Sequence, residues 1–243
     1  ELFETNKTIK KFMTWFVIHY IEKKSIKFSD KIICLSDRDN NLLHRLYNRS
    51  ANFIFPMIMQ DKLFNKHEKK NLSSNNEKYI LFVGGNFYGN IHGIKWFIKN
   101  VLPEIDIKLI LVGFGLEKYR PALEVNNKVK IVDSADSLNE LYKGAVCVIA
   151  PIFKGSGMKT KVAESLMFGK IILATKEASS GYDLVPRDIL IECFDKNMFI
   201  DFINKSSLNE NITFNKKSRG IYEKFYSLDA GTNRFKKIFS KYR

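Results

Sequence analysis

Cysteine and histidine are scarce in this chain of 243 residues, which has three of the first and four of the second. The cysteines Cys34, Cys147 and Cys193 stand far apart in apolar contexts, and we interpret them as reduced core residues of a cytoplasmic protein. No HxxxH or CxxC spacing occurs among the histidines and cysteines. The sequence therefore argues against a structural zinc and predicts no metal site.

A hydrophobic run long enough to cross a bilayer is also missing. The most apolar stretch near the start, residues 12–21, has roughly half the length that a membrane span requires, and it contains His19. We expect a packed amphipathic helix there. No signal peptide is visible, and because the chain opens with Glu1 rather than Met, we expect that its true beginning is missing.

Acidic residues are the scarcer charge, with 26 Asp and Glu against 40 Lys and Arg and a net charge of +14. Such a surplus favours an anionic partner, and nucleic acid, an acidic membrane surface and phosphorylated small molecules all qualify. The abundance of Lys, Asn, Ile and Phe is also typical of an AT-rich genome. Because the lysines are scattered and no recognition motif appears, nucleic acid is the disfavoured partner.

Two α/β segments flank a polar stretch. Residues 1–58 contain short strands and helices that look like the last units of a domain whose earlier strands are absent. Residues 59–77 are polar and predict a linker. Residues 78–228 alternate strands with helices, which is typical of a doubly wound parallel sheet, and residues 229–243 predict a terminal helix.

Each predicted strand of the larger segment is a short apolar run. They are 79–83, 107–112, 129–132, 146–149, 171–174 and 189–193, and the helices between them are 94–101, 117–124, 137–143, 158–168 and 196–206. In such sheets, ligands bind at the carboxyl ends of the strands. The loops after Val83, Val112, Ile149 and Ala174 are therefore the candidate binding loops.

The first of these loops, FVGGNFYGNIHG, is dense in glycine. Gly84, Gly85 and Gly89 would let the backbone approach a ligand, and amides at a helix start attract phosphate. The spacing matches neither the dinucleotide fingerprint nor the P-loop. A tight turn between strand and helix explains the glycines equally well.

The second loop, IFKGSGMKTKVAESLMFGK, leads into a helix for which we predict Ser156 as the N-cap. Lys154, Lys159 and Lys161 crowd the first turns of this helix, where the dipole disfavours cations, so the arrangement favours a bound anion such as a diphosphate. The alternative is a solvated basic face.

Lys161 and Glu164 lie about 60° apart on the helical wheel, opposite the apolar side of the same helix. The Glu164 carboxylate could accept hydrogen bonds from two ribose hydroxyls beside the lysine. The alternative is an ordinary i,i+3 ion pair on a wet surface.

The run APIFKGSGMKTKVAESLMFGKIILAT resembles the donor domain of the family-4 retaining glycosyltransferases of the GT-B fold. YILFVGGNFYGNIHGIKWF, LILVGFG and SLNELYKGAVCVIAP resemble further strands and loops of that domain, and the likeness covers roughly residues 29–240. It implies a doubly wound parallel Rossmann-like sheet, the GT-B C-terminal domain, with a remnant of a second Rossmann-like domain. The remnant would close an acceptor domain that is mostly missing here, and the terminal helix would cross back toward it.

The resemblance also assigns roles to residues. Glu164 matches the second Glu of the family's E-x7-E motif, which holds the ribose, and Lys161 matches a recurrent lysine, so these two are the predicted catalytic residues. Ser156 stands where many members have the first Glu, and Asn86, Asn90 and His92 stand where an Arg and a Lys are common, so that Lys154 and Lys161 would supply the charge. The predicted donor-binding residues are Gly84, Gly85, Asn86, Asn90, Gly113, Lys154, Ser156, Gly157, Met158, Lys159 and Thr160.

The reaction that this resemblance implies is transfer of a sugar, with retention, from a nucleoside diphosphate sugar of the UDP or GDP type to a glycan or lipid-linked acceptor. It implies no cofactor and no metal. The expected setting is bacterial cell-envelope polysaccharide assembly in the cytoplasm, with peripheral contact to anionic membrane. The alternative is a non-catalytic nucleotide-binding or assembly module that lacks a complete acceptor domain.

Overall fold

The computed structural model describes residues 9–63, 78–132, 138–207 and 214–240. The chain forms two compact units, Glu1–Pro56 and Met57–Arg243. Most of the predicted linker, residues 64–77, lies outside the described residues, whereas residues 57–63 belong to the second unit. The assignment of the two units to an acceptor and a donor domain stays a prediction.

The first unit is a small βαβ arrangement with a preceding helix. Its elements are α1 (Ile9–Phe28), β1 (Ile33–Cys34), α2 (Asp37–Tyr47) and β2 (Phe53–Ile54), and the two strands pair in parallel. Ser36 caps α2 by accepting the Asp39 N–H at 3.2 Å, and Asn48 ends the helix in the left-handed region at φ 53°. The strands and the helix between them thus form a small parallel α/β unit. That it is the remnant of a larger Rossmann-like domain stays a prediction.

The helix α1 differs from the prediction of a packed amphipathic helix. Its apolar residues follow one another too closely to form a single stripe, so they lie all around the helix. Many of their side chains are exposed, namely Phe12, Met13, Trp15, Phe16, Val17, Ile18, Tyr20 and Ile21. Among the described helices, none is long and apolar enough to cross a membrane.

The second unit is built on a six-stranded parallel sheet in the order β5-β4-β3-β6-β7-β8. Each strand begins and ends within one residue of its predicted bounds. The strand order reverses between β3 and β6, which opens a crevice at the carboxyl ends of these two strands. The strands are β3 (Tyr79–Val83), β4 (Lys108–Val112), β5 (Val129–Val132), β6 (Ala145–Ala150), β7 (Ile172–Ala174) and β8 (Leu190–Glu192).

Helices cover this sheet, and two of them, α7 and α9, were not predicted. The helices are α3 (Tyr88–Asn100), α4 (Arg120–Leu123), α5 (Asn139–Gly144), α6 (Thr160–Met167), α7 (Lys176–Ser179), α8 (Lys196–Ser207), α9 (Lys216–Phe225) and α10 (Leu228–Phe239), with 3-10 turns at Leu102–Glu104 and Leu116–Tyr119. The predicted terminal helix corresponds to α10, which packs on α9. Its passage back to the first unit stays a prediction.

The helix α3 begins at Tyr88, six residues before its predicted start, because Gly89 and Gly93 belong to the helix rather than to a loop. Both glycines let α3 approach the chain after β6. A Cβ on Gly93 would lie 2.8 Å from the carbonyl carbon of Pro151, and a Cβ on Gly89 would overlap the carbonyl oxygen of Lys154. The glycines thus bring α3 against the candidate second loop.

Gly93→Ala is expected to lower the free energy of unfolding by about 1–3 kcal/mol, because the added methyl group meets backbone atoms that cannot move aside. Urea denaturation of both proteins measures the difference. Gly220→Ala is the matched control, because an added Cβ in the exposed middle of α9 meets nothing within 4 Å. It is expected to stabilise by about 0.5–1 kcal/mol, and equal effects of the two substitutions would contradict the close approach.

Candidate functional site

The loops after β3 and β4 meet at the carboxyl edge of the sheet. The Asn86 N–H donates to the carbonyl of Phe114 at 2.9 Å. A Cβ on Gly113 would lie 2.7 Å from the nitrogen of Gly85, and a Cβ on Gly85 would lie 2.8 Å from the oxygen of Phe114. A side chain at Gly85 or Gly113 would collide with the backbone of the other loop, so only glycine fits at these two positions. Gly84, Gly85 and Gly113 are here called the turn cluster.

Lys161 reaches this turn cluster from α6. Its Nζ donates to Asn90 Oδ1 at 2.7 Å and lies 4.0 Å from the centre of the Phe82 ring. A Cβ on Gly84 would lie 2.8 Å from the same nitrogen. The ammonium group therefore lies directly against the glycine-rich turn after β3.

The charge of Lys161 is poorly compensated. The residue is only 6% exposed, and in the part of the chain that the structure describes, no carboxylate oxygen lies within 4.0 Å of its Nζ. Burial, and secondarily the positive charge of Lys159, lowers the pKa of Lys161 to about 7. A buried cation in this state gains from any anion that enters the turn cluster.

Asn90 connects the lysine to the turn. Its Nδ2 donates to the carbonyl of Gly85 at 2.9 Å, while its Oδ1 accepts from Lys161. One amide side chain on the first turn of α3 thus fixes both the loop backbone and the ammonium group. Asn90 occupies a position where the resemblance expected a basic residue, and the cation that contacts it is Lys161.

Glu164 lies one helical turn beyond Lys161, and it is also buried, with 7% of its surface exposed. Its Oε1 accepts from Lys62 Nζ at 2.9 Å, and its Oε2 accepts from the hydroxyl of Tyr142 at 3.2 Å. Burial and the charge of Glu164 raise the pKa of Tyr142 well above its usual value, so this hydroxyl acts as a donor. The alternative of an exposed Lys161–Glu164 pair is wrong, since each residue has a different partner.

Lys62, which pairs with Glu164, was not predicted as a site residue, because it falls in the polar stretch that predicted a linker. Residues 57–63, here called the anchored segment, are instead part of the second unit and pack on its core. Met57, Met59 and Leu63 contact its apolar core, and this run of apolar residues was the available signal. Asp61 forms an ion pair with Arg219 of α9.

The loop before α6 also departs from the prediction. The N-cap of α6 is Lys159 rather than Ser156, and no side chain caps this end of the helix. Gly157 has a φ of 65°, and this left-handed turn delays the start of the helix. Lys159 donates to the carbonyls of Ser156 at 3.2 Å and Gly157 at 2.8 Å and to Glu177 Oε1 at 2.9 Å. Its ammonium group therefore stabilises the loop itself.

The remaining predicted residues divide by exposure. The side chains of Asn86, Lys154, Ser156 and Thr160 are exposed around the loops, and Met158 is buried. Of the predicted set, the structure brings Gly84, Gly85, Asn90, Gly113 and Lys161 into one cluster, with Glu164 one turn away. Within the ranges that the structure describes, no group of three or more His, Cys, Asp and Glu residues could hold a metal ion. Binding roles for these residues stay predictions.

Cysteine burial follows the prediction in two of three cases. Cys147 and Cys193 are buried and free, whereas Cys34 is only partly buried. Burial raises the pKa of Cys147 to about 12, which keeps this thiol protonated.

The chain is similar to solved glycosyltransferase structures. It matches sucrose-phosphate synthase from Thermosynechococcus elongatus with a TM-score of 0.74 and 17% identity, over 93% of this chain and 61% of that one. It matches the Anabaena protein HepE in complex with UDP-glucose with a TM-score of 0.70 and 13% identity, over 93% and 68% of the two chains. These likenesses confirm the predicted GT-B type of Rossmann-like fold.

A sequence relative and a family model give the remaining comparisons. An uncharacterized 44.6 kDa protein in the cps region of Klebsiella pneumoniae is 26% identical over 158 residues, which cover 59% of this chain and 40% of that protein. The chain thus spans less than half of this relative. The family model described as glycosyl transferases group 1 matches residues 77–206, more than half of the chain. The chain belongs to the group 1 glycosyl transferases.

Proposed function

We propose that this chain carries the donor site of a glycosyltransferase that transfers a sugar, with retention, from a nucleoside diphosphate sugar to a glycan or lipid-linked acceptor. One observation carries the proposal. A buried lysine, Lys161, lies against a glycine-rich turn, and a buried carboxylate, Glu164, lies one helical turn away. The two groups match the two charged or polar parts of a nucleoside diphosphate, its phosphates and its ribose.

The diphosphate would occupy the turn cluster. Glycine backbone there can approach phosphate oxygens closely, and the ammonium group of Lys161, which donates to Asn90 and lies over the Phe82 ring, supplies a positive charge. A phosphate in contact with Lys161 replaces the water that burial removed from the ammonium group. Binding would therefore raise the pKa of Lys161 from about 7.

Catalysis would use the same electrostatics. When the bond between sugar and diphosphate breaks, negative charge grows on the departing phosphate, and a fixed cation in a site with little water stabilises this charge strongly. Lys161 would provide this stabilisation, and we assign no nucleophile to the chain. Retention rests on the resemblance to the family, and the acceptor would be bound outside the donor site.

The comparisons support the substrate class. The Anabaena protein HepE was solved with UDP and with UDP-glucose, which favours a UDP-type donor here, with GDP as the other candidate. The relative in a cps region supports a role in polysaccharide biosynthesis. The net charge of +14 fits an enzyme that works at an anionic membrane surface on a lipid-linked acceptor.

Calorimetry with UDP, GDP, UMP and GMP tests the donor site. We expect the chain to bind UDP or GDP at least about tenfold more tightly than the matching monophosphate, because the second phosphate adds charge-assisted hydrogen bonds at Lys161. Lys217→Met, which removes an exposed lysine paired with Asp188, is the control and is expected to bind like the wild type. Absence of binding by both diphosphates, or equal affinity for mono- and diphosphate, would contradict the proposal.

A further inference from the structure

We propose that Lys62 is a positioning residue of the donor site, whose ammonium group holds the Glu164 carboxylate in the orientation that receives the ribose. The inference rests on the proposed function, because it assumes that Glu164 contacts the nucleotide. It concerns a residue outside α6 and outside the loops at the carboxyl edge of the sheet. Lys62 would act on the ribose only through Glu164.

The carboxylate of Glu164 is held from two sides. Lys62 donates to one oxygen at 2.9 Å, and Tyr142 donates to the other at 3.2 Å. A carboxylate has about four accepting positions, two on each oxygen. Each oxygen therefore keeps one position, and together these can accept the two hydroxyls of a ribose.

The backbone that carries Lys62 is fixed on both sides of the residue. The Lys62 N–H donates to the sulfur of Met167 at 3.3 Å, and its carbonyl accepts from Asn139 Nδ2 at 3.3 Å. Next to it, Asp61 is paired with Arg219, which also donates to the carbonyl of Met167 at 2.8 Å. Because these contacts tie the anchored segment to the carboxyl end of α6, the position of the lysine is set relative to Glu164.

A site for a neutral ribose contains a cation here because the buried carboxylate of Glu164 needs a compensating positive charge, which Lys62 supplies. The Glu164 side chain is only 9% exposed, and a buried carboxylate is costly unless a positive charge compensates it. Lys161, the other nearby lysine, donates to Asn90 instead. The Lys62 side chain is 50% exposed, so this countercharge reaches Glu164 from the solvent side and remains hydrated.

The test compares Lys62→Met with the wild type in calorimetric titrations of the full chain with UDP and with 2′,3′-dideoxy-UDP, and with the corresponding guanosine pair. We expect Lys62→Met to weaken binding of the ribonucleotide about three- to fivefold, as loss of an ion pair at a partly exposed site does. We expect less than about a twofold change for the dideoxy analogue, because it lacks the hydroxyls that Glu164 would receive. Lys62→Arg is expected to retain most of the affinity.

Lys196→Met is the matched control, because Lys196 is 45% exposed and pairs with Glu104 at 2.6 Å. It is expected to bind both analogues as the wild type does. Equal weakening of ribonucleotide and dideoxynucleotide by Lys62→Met would show that Lys62 acts on the phosphates or on the fold, and no weakening would show that Glu164 needs no positioning; either result overturns the inference. If the wild type binds neither UDP nor GDP, the donor-site proposal itself fails, and the inference fails with it.

Discussion

Lys161→Met is expected to stabilise the fold while it removes binding of the nucleoside diphosphate. Burial lowers the pKa of Lys161 from 10.5 to about 7, and at about 1.4 kcal/mol per unit the protonated form costs on the order of 5 kcal/mol in the folded state. The lost hydrogen bond to Asn90 offsets about 1.5–3 kcal/mol of this. The free energy of unfolding should therefore rise by about 2–4 kcal/mol at neutral pH.

The pH dependence of this gain has a definite sign. Between pH 7 and pH 10.5 the unfolded chain keeps a proton on Lys161 that the folded chain has lost, so raising the pH across this window stabilises the wild type relative to the variant. Below pH 7 Lys161 is protonated in both the folded and the unfolded chain, and the full cost of burying its charge lowers the stability of the wild type. Urea denaturation at about pH 6 and about pH 10 measures the difference, which should be large at the lower pH and small at the higher. A difference that does not change with pH would contradict the buried, uncompensated cation.

Ligand binding by the wild type should also depend on the protonation of Lys161. A diphosphate favours the charged form of Lys161, so the chain should take up a proton as the ligand binds, and the affinity should fall as the pH rises above 7. UDP-glucose, whose phosphates are both esterified, is the cleanest probe. Calorimetry in two buffers with different ionisation enthalpies measures the uptake. Lys161→Met should lose the uptake and at least about a hundredfold in affinity, the value of two charge-assisted hydrogen bonds.

A variant that is more stable but binds the nucleotide more weakly would identify Lys161 as a residue kept for function at the expense of stability. Lys170 provides the comparison within the same unit. Its pKa is lowered by burial to about 8, yet its Nζ donates to the carbonyls of Lys143 at 3.1 Å and Ala145 at 2.8 Å, so it has a structural role. Lys170→Met would remove these two hydrogen bonds and is not expected to stabilise the fold.

The sheet could be predicted from the sequence because each of its strands is a short apolar run between polar turns. A strand of a parallel sheet is buried on both faces, so nearly all of its residues are apolar and the run is visible in the sequence. The start of α3 could not be predicted in this way. Gly89 and Gly93 lower helix propensity, and only the close approach of Pro151 and Lys154 explains why they stand in a helix.

The part of the candidate site that lies on one helix could be predicted from the sequence. The spacing of Lys161 and Glu164 placed both on one side of α6, but whether that side was wet or buried depended on chain segments far away in sequence. Asn90 is 71 positions from Lys161, and Lys62 is 102 positions from Glu164. Ser156 failed as an N-cap for a local reason, because the left-handed turn at Gly157 moves the start of the helix beyond its reach.

Glu164→Gln is expected to weaken binding of the ribonucleoside diphosphate by a factor of about 30–150. The amide keeps the size of the side chain, but each hydrogen bond to a ribose hydroxyl falls from about 1.5–3 kcal/mol for a charged acceptor to about 0.5–1.5 kcal/mol for a neutral one. Glu164→Ala should lose still more, since it removes both acceptors. The Tyr142 hydroxyl would also lose one of its partners, so the alanine variant should unfold more easily by about 1 kcal/mol.

The measurement is the affinity for UDP and for UMP, or for the guanosine pair, in wild type and variant. Because ribose is common to both nucleotides, Glu164→Gln should weaken the two equally, whereas Lys161→Met should weaken the diphosphate more than the monophosphate. Glu104→Gln, which breaks the pair with Lys196, is the control for loss of a carboxylate elsewhere. If Glu164→Gln instead reduced the preference for diphosphate, the carboxylate would lie near the phosphates and the ribose assignment would be wrong.

The double variant Lys62→Met with Glu164→Gln adds a test of how the two halves of the ion pair act. If the lysine works only through the carboxylate, its removal should cost nothing further once the carboxylate is an amide, so the double variant should bind like Glu164→Gln alone. If the two losses add, Lys62 contacts the nucleotide itself.

Lys161→Met combined with Glu164→Gln should behave in the opposite way. The two residues have separate partners and would contact separate parts of the ligand, so their losses should sum within about 0.5 kcal/mol.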